Sequence, residues 1–242
     1  MIKRLFDIVM SFFGLLIVTP FLLPVMFLVY KKDKKSPFYI TLRSGRNGIL
    51  FKMIKLRSMV SGADKSGVAS TSSNDTRITP IGHKIRKYKL DEFTQLWNVL
   101  IGDMSLVGPR PNVKTETDLY THVEKGLLSV RPGITDFSSI IFSDEGEILK
   151  EKDDPDLTYN QLIRPWKSRL GLIYIENQSF LLDVKIIIYT LIAIISKQRA
   201  LNWISSQLES MDTDSNVVNI SKRKAELYPF PPPGMDKVIK GK

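Results

Sequence analysis

Cysteine is absent from the 242-residue chain, which removes disulfides, thiolate nucleophiles and cysteine-type zinc sites from the chemistry it can perform. Histidine is scarce: with only His83 and His122, neither a histidine-rich metal cage nor a Ser-His-Asp triad is expected. The chain also lacks internal repeats, and the first apolar run has no clear small-x-small cleavage site, which argues against a removable signal peptide. Acidic residues number 25 against 35 Lys and Arg, and the net charge of +10 calls for anionic partners: nucleic acid, acidic lipid headgroups or phosphate-bearing substrates. Carboxylates and cationic side chains are left to do the chemistry, in a chain whose 43% hydrophobic content suffices for one sizeable domain with appendages.

From Leu5 to Tyr30 nearly every residue is apolar. A straight helix of that length measures ~39 Å, enough to cross a hydrocarbon core ~30 Å thick. Pro20 and Pro24 interrupt it, and each removes a backbone donor, so a bend is expected at Thr19-Pro20. Basic residues flank both ends, Lys3 and Arg4 before and Lys31, Lys32, Lys34 and Lys35 after, and the positive-inside rule would put both flanks on the cytoplasmic side. A re-entrant helix-break-helix satisfies that rule; a tilted single span with a mild kink is the alternative, and the residues alone do not choose. Asp7 is costly in lipid unless it anchors the helix at headgroup depth or pairs with a group such as Arg4.

Two short apolar runs, Phe38–Leu42 and Ile49–Met53, flank an Asn47-Gly48 turn signal and predict a β-hairpin. Residues 61–76, rich in Ser, Gly, Asp and Thr, predict a mobile surface loop of the kind that serves as a lid. Thr79 and Pro80 then stand as N-cap and first residue of a basic helix. Leu90, Phe93, Leu96, Trp97 and Leu100 share one face of a following helix, Asp91, Gln95 and Asn98 another, and Gly102 stops it. Gly108-Pro-Arg-Pro111 and Arg131-Pro-Gly133 are stiff loops that present an arginine each. Phe180–Ile195 is apolar but short for a span, which suits a buried or interfacial helix. The expected fold is mostly α with a small β-hairpin: a membrane helix over 1–35, a domain over 36–205 with interfacial amphipathic helices, and an extended or disordered tail over 206–242 that includes Tyr228-Pro-Phe-Pro-Pro-Pro-Gly234.

Asp91 and Glu92 are adjacent, so on a helix they splay ~100° apart and cannot face each other across a substrate, though both can reach one site from its rim. The positive end of the helix and nearby Arg86 and Lys89 favour an ionised Asp91, the form that metal binding or attack on phosphorus requires. The same pair also reads as an ordinary acidic first turn. Arg110 and Arg131 suit bidentate phosphate contacts or loop corners; Lys55 and Arg57 suit phosphates, headgroups or a solvated strand face. Asp103 reads as a turn residue rather than a second metal ligand.

The ensemble carries more than its parts. Asp75-Thr-Arg-Ile-Thr-Pro-Ile-Gly82, Arg86, Leu90-Asp-Glu92, Gln95-Leu96, Asn98-Val-Leu100, Gly102-Asp-Met-Ser-Leu-Val-Gly-Pro-Arg-Pro111 and Arg131-Pro-Gly-Ile-Thr135 together resemble the bacterial sugar transferases, the monotopic phosphoglycosyl transferase family. Lys3-Arg-Leu-Phe-Asp7, Arg43-Ser-Gly45, Phe51–Met59 and Asn177–Lys185 extend the resemblance from about residue 3 to about 200. It implies transfer of a sugar 1-phosphate from a UDP-sugar to a polyprenyl phosphate at the cytoplasmic face of the bacterial inner membrane. Asp91 would be the nucleophile, Glu92 its partner, and both would hold Mg²⁺; Arg86, Arg110, Arg131, Lys55 and Arg57 would bind phosphates. The resemblance also implies a re-entrant helix broken at Thr19-Pro20 and anchored by Arg4 and Asp7, with contacts to anionic lipid, none to nucleic acid, and self-association left open. Where many members continue Gly-Trp-Ala-Gln-Val-Asn-Gly-Arg, this chain has Asp136-Phe-Ser-Ser-Ile-Ile-Phe-Ser-Asp-Glu145, a departure in the region expected to shape the sugar pocket. The competing readings are a membrane-tethered basic scaffold and a hydrolase of lipid-linked diphosphates.

Overall fold

The computed structural model describes residues 1–66 and 70–241; part of the 61–76 loop therefore lies outside the described residues. The chain opens with α1 (Ile2–Asp33), followed by the strands β1 (Phe38–Ser44) and β2 (Leu50–Leu56). Three helices come next, α2 (Pro80–Lys87), α3 (Leu90–Phe93) and α4 (Gln95–Ile101), then β3 (Ser105–Val107), α5 (Lys114–Thr117) and β4 (Gly133–Thr135). The remainder is helical: α6 (Phe137–Ile141), α7 (Glu145–Ile148), α8 (Pro155–Thr158), α9 (Arg164–Glu176), α10 (Phe180–Ile195), α11 (Lys197–Glu209) and α12 (Ser215–Lys222). The expected mostly helical fold with a small hairpin is what forms. The main core lies among α6 and α9–α12, around Trp166, Tyr174, Phe137, Leu170, Ile186 and Ile204, all at most 1% exposed.

Among the described residues α1 is the one helix long and apolar enough to cross a membrane by length and composition. The helix runs through Pro20 and Pro24, and Thr19 Oγ1 donates to the Leu15 carbonyl at 2.6 Å, a back-bond that tends to bend helices. Asp7, Ser11, Leu22 and Val29 are buried on one stripe at helical spacing, while Phe13, Ile17, Phe21 and Phe27 are exposed. Both ends of α1 are tied to the same body. Lys3 Nζ reaches Asp183 Oδ2 on α10 at 2.6 Å, Arg4 donates to the Val99 and Leu100 carbonyls at the end of α4 at 2.6 and 2.9 Å, and Asp33 pairs with Arg57 Nη2 at 2.7 Å just beyond β2. Asp7 does not pair with Arg4; it accepts from Ser105 Oγ at 2.9 Å and the Leu106 amide at 3.1 Å, capping the start of β3.

Strands β1 and β2 pair antiparallel from Phe38↔Leu56 to Ser44↔Leu50, and Asn47 and Gly48 take the positive φ values (57° and 74°) that close the turn. A parallel pair that sequence pattern did not reveal, β3 with β4, straps the two arginine-proline loops back to back: Ser105 N donates to Pro132 O and Gly133 N to Pro109 O, each at 2.9 Å. An added Cβ at Gly133 would sit 2.1 Å from Gly108 N, so the backbones meet only because neither residue has a side chain.

Two expectations are corrected. The single amphipathic helix over 90–100 is two, α3 and α4, meeting at Thr94; Gln95 and Asn98 of its polar stripe are 0% exposed, and of its apolar face Leu96 is buried while Phe93 and Trp97 point outward. The segment from 206 is not extended or disordered throughout; α11 and α12 carry it as helix to Lys222, because Leu208, Val217, Val218 and Ile220 have a core to join. Beyond that the described residues form neither helix nor strand but lie against α9: Phe230 stacks on Trp166 with centroids 4.4 Å apart, and Arg169 donates to the Pro231 carbonyl at 2.8 Å.

Candidate active site

A cleft of about 670 Å³ opens between the β-hairpin, α2–α3, the Gly108–Pro111 loop and the α6–α7 region, within the range usual for small-molecule sites. Side chains alternate along a strand, so one face of the hairpin carries Arg43, Met53 and Lys55 toward the cleft while Ile40 and Leu42 stay on the outer side. Asn98 holds that hairpin in place: its Oδ1 accepts from the Ile54 amide at 3.0 Å and its Nδ2 donates to the Lys52 carbonyl at 2.7 Å. Helix α2 is capped by Thr79, which accepts from the Gly82 amide at 3.0 Å with Pro80 at the first position, as its sequence predicts. Lys89, at φ 52°, turns the chain sharply between α2 and α3, and that turn delivers Arg86 and the Asp91–Glu92 pair to one place.

Of the residues singled out by sequence, Lys55, Arg86, Asp91, Glu92 and Arg110 line the cleft together. Arg110 is held by the Ile134 carbonyl (2.6 Å) and lies 3.1 Å from Glu92 Oε1. Arg86 donates from Nε to Ser58 Oγ at 3.0 Å. Arg131 and Arg57 are not in the lining. Arg131 donates to the Gly102 carbonyl at 2.9 Å and so caps the end of α4, and Arg57, 9% exposed, is committed to Asp33. Asp103 accepts from Asn98 Nδ2 at 3.2 Å, the behaviour of a turn residue. Sequence reading did not single out Arg43 as a site residue; its place in the alternating β1 pattern, on the same face as Lys55, was the available signal.

The cleft treats its two carboxylates differently. Burial pushes Asp91 above the ordinary aspartate range despite Lys55 and Arg86 nearby, against the easy ionisation that the helix end alone favours. Burial acts on Glu92 in the same direction, but Arg110, Lys55 and Lys89 outweigh it and hold Glu92 below the usual glutamate range. Lys55, desolvated and beside Arg110, is brought down to about 8. Adjacent acids pushed apart in this way suit different tasks, the higher being the stronger nucleophile once ionised. Among the described residues no three His, Asp or Glu side chains gather as a cage for a metal. Asp91 and Glu92 do fit Mg²⁺ in its other mode, in which one or two carboxylates are supplemented by substrate phosphates and water.

A model of the bacterial sugar transferase family matches residues 1–197. The exopolysaccharide production protein ExoY of Sinorhizobium fredii is 33% identical over 207 residues, which cover 79% of this chain and 84% of that protein. The UDP-glucose:undecaprenyl-phosphate glucose-1-phosphate transferase of Klebsiella pneumoniae is 34% identical over 192 residues, 78% of this chain and 39% of that protein. A UDP-N-acetylgalactosamine-undecaprenyl-phosphate N-acetylgalactosaminephosphotransferase of Aeromonas hydrophila is 29% identical over 204 residues, 81% of this chain and 44% of that protein. The chain thus spans most of ExoY and less than half of the other two.

Proposed function

The chain belongs to the bacterial sugar transferase family, and from that premise we propose that it moves a sugar 1-phosphate from a UDP-sugar onto a polyprenyl phosphate through Asp91, releasing UMP. The observation that carries this reading is the position of Asp91 and Glu92. They sit in a cleft beside Lys55, Arg86 and Arg110, and the next residue, Phe93, already belongs to the exposed apolar surface. A diphosphate needs the cations, and a lipid phosphate that stays in the bilayer needs a site beside an apolar face.

In the proposed first step an Asp91 carboxylate oxygen bonds to the sugar-bearing phosphorus, the bond from that phosphorus to the bridging oxygen breaks, and its electron pair leaves with UMP. In the second, an oxygen of the polyprenyl phosphate attacks the same phosphorus, the bond to Asp91 breaks, and the carboxylate is restored as the lipid diphosphate sugar departs. Arg110, Arg86 and protonated Lys55 hold the phosphoryl oxygens in line and offset their charge. Glu92, kept ionised by Arg110, fixes that guanidinium in the cleft. Mg²⁺, held by Asp91 and Glu92 together with the diphosphate, would supply further charge neutralisation.

The membrane arrangement is part of the same proposal: α1 is a re-entrant anchor of a monotopic protein, with the cleft on the cytoplasmic face of the inner membrane. Attachment of both Lys3 and Asp33 to one body supports it, since opposite ends of a spanning helix could not both dock on a domain kept to one side. Single cysteines at positions 2 and 33 of this cysteine-free chain should react with an impermeant label from the same side; opposite-side labelling rules the anchor out. For the reaction, purified protein given UDP-sugars, Mg²⁺ and polyprenyl phosphate should release UMP, and Asp91→Asn should stop it. Release of inorganic phosphate instead would indicate a hydrolase, and inertness across the UDP-sugars a scaffold.

A further inference from the structure

The mechanism uses only the end of the cleft around Asp91. At its other end, beyond Arg110, the lining is formed by Arg43 from β1, Glu116 from α5, Tyr159 from the π-helical turn that precedes α9, and the Glu145–Lys167 ion pair. Glu145 and Lys167 satisfy each other, and Lys167 lies 5.4 Å from the centre of the Tyr159 ring. The other three are unspent. Among the described residues the Glu116 carboxylate and the Tyr159 hydroxyl make no hydrogen bond or ion pair, and Arg43 Nε is buried with no partner. A buried donor such as Arg43 Nε is normally paired, and with the half-buried Glu116 and Tyr159 converging on the same cavity it points to a ligand that carries both donors and acceptors.

The chemistry of that ligand follows from the set. A phosphate is repelled by Glu116, whose carboxylate is already destabilised by burial. A uracil edge presents one N–H between two carbonyls, so a carboxylate facing it gains one hydrogen bond and two repulsions. Ring hydroxyls each give a proton and take one, which suits a carboxylate flanked by a guanidinium and a phenol. We propose, on the premise that the chain is the transferase described above, that Arg43, Glu116 and Tyr159 form the pocket that reads the sugar. Glu116 accepts from two neighbouring hydroxyls, so the substrate class is a UDP-hexose with free vicinal hydroxyls rather than a deoxy sugar lacking one of them. This pocket faces the departure at residues 136–145, whose Ser139, Ser143 and Glu145 also line the cleft.

The test starts from wild-type protein that releases UMP from at least one UDP-hexose, so an inert wild type would sink the transferase reading and not this one. The kcat/KM for that UDP-hexose is compared with those for its deoxy analogues in wild type and Glu116→Gln, with UMP product inhibition measured alongside. A charged hydrogen bond is worth ~1.5–3 kcal/mol, so Glu116→Gln should lose about 10–150-fold on the full hexose. Its preference over the deoxy analogue should collapse toward unity, with the inhibition constant for UMP unchanged. A preserved preference, or weaker UMP inhibition that would place the nucleotide at this end, overturns the assignment. Should Glu116→Gln fail to fold, Tyr159→Phe, which keeps the ring and removes only the hydroxyl, carries the same comparison with the same two outcomes at a smaller fold-change.

Discussion

Replacing Asn98 with alanine removes a side chain that is 0% exposed and joins α4 to the outer edge of β2. The register leaves the Ile54 amide and Lys52 carbonyl pointing away from β1, and both are satisfied by this one side chain. Without it, two partly buried backbone groups lose their partners at up to ~1–3 kcal/mol each, at most about 2–6 kcal/mol in all. For a chain of this size each kcal/mol moves the midpoint by ~2–4 °C, so the melting temperature in a fixed detergent should fall on the order of 10 °C. Asn98→Asp keeps the acceptor for Ile54, loses the donor to Lys52 and sets a second carboxylate beside Asp103, so it should be no more stable than the alanine variant. UMP release should drop with the folded fraction and beyond it, because Lys55 rides on the same strand. An alanine variant melting within about 1 °C of wild type would refute the clamp, since nothing else among the described residues satisfies those two groups.

Three further outcomes are expected. The kcat/KM for UMP release should fall about tenfold per pH unit above about 8, as Lys55 loses its proton, and fall on the acid side from a point above the ordinary aspartate value, as Asp91 gains one. Lys55→Arg should abolish the alkaline limb, and a limb that stays at the same pH contradicts the assignment. Arg110→Ala should cost about 10–150-fold in kcat/KM, as a lost charged contact to phosphate does, while Arg131→Ala acts through stability with activity within about threefold; equal losses would return Arg131 to the cleft. Phe230→Ala should destabilise by about 1–3 kcal/mol and expose the tail to limited proteolysis, and an unchanged cleavage pattern would show that the stack on Trp166 does not hold it.

Elements whose signals are local were legible in the sequence. The Asn47-Gly48 hairpin, the Thr79-Pro80 helix start and the stop at Gly102 depend on backbone chemistry within a few residues. What depended on distant partners was not. The β3–β4 strap joins residues about 28 apart through three-residue strands too short for an alternating pattern, and it sends Arg110 into the cleft and Arg131 to Gly102. Asp7 and Arg4 find separate partners that no spacing reveals. Phe93 and Trp97 were legible as one apolar face by their spacing, but that they point outward, as an interfacial surface would, depends on Asn98 turning inward to β2. Arg57 and Lys55, two residues apart, show the limit most sharply: one is spent on Asp33, the other is free in the cleft.

The central claim is that Asp91 itself carries the phosphosugar, and intact-protein mass spectrometry tests it most directly. Protein incubated with a UDP-sugar that supports turnover, and Mg²⁺, but no polyprenyl phosphate should gain the mass of one sugar phosphate, mapped by peptide analysis to Asp91, with an equivalent of UMP released. The adduct should disappear when polyprenyl phosphate is added. An absolute requirement for the lipid before any UMP appears, with no adduct on wild type under conditions that support turnover, would contradict the account.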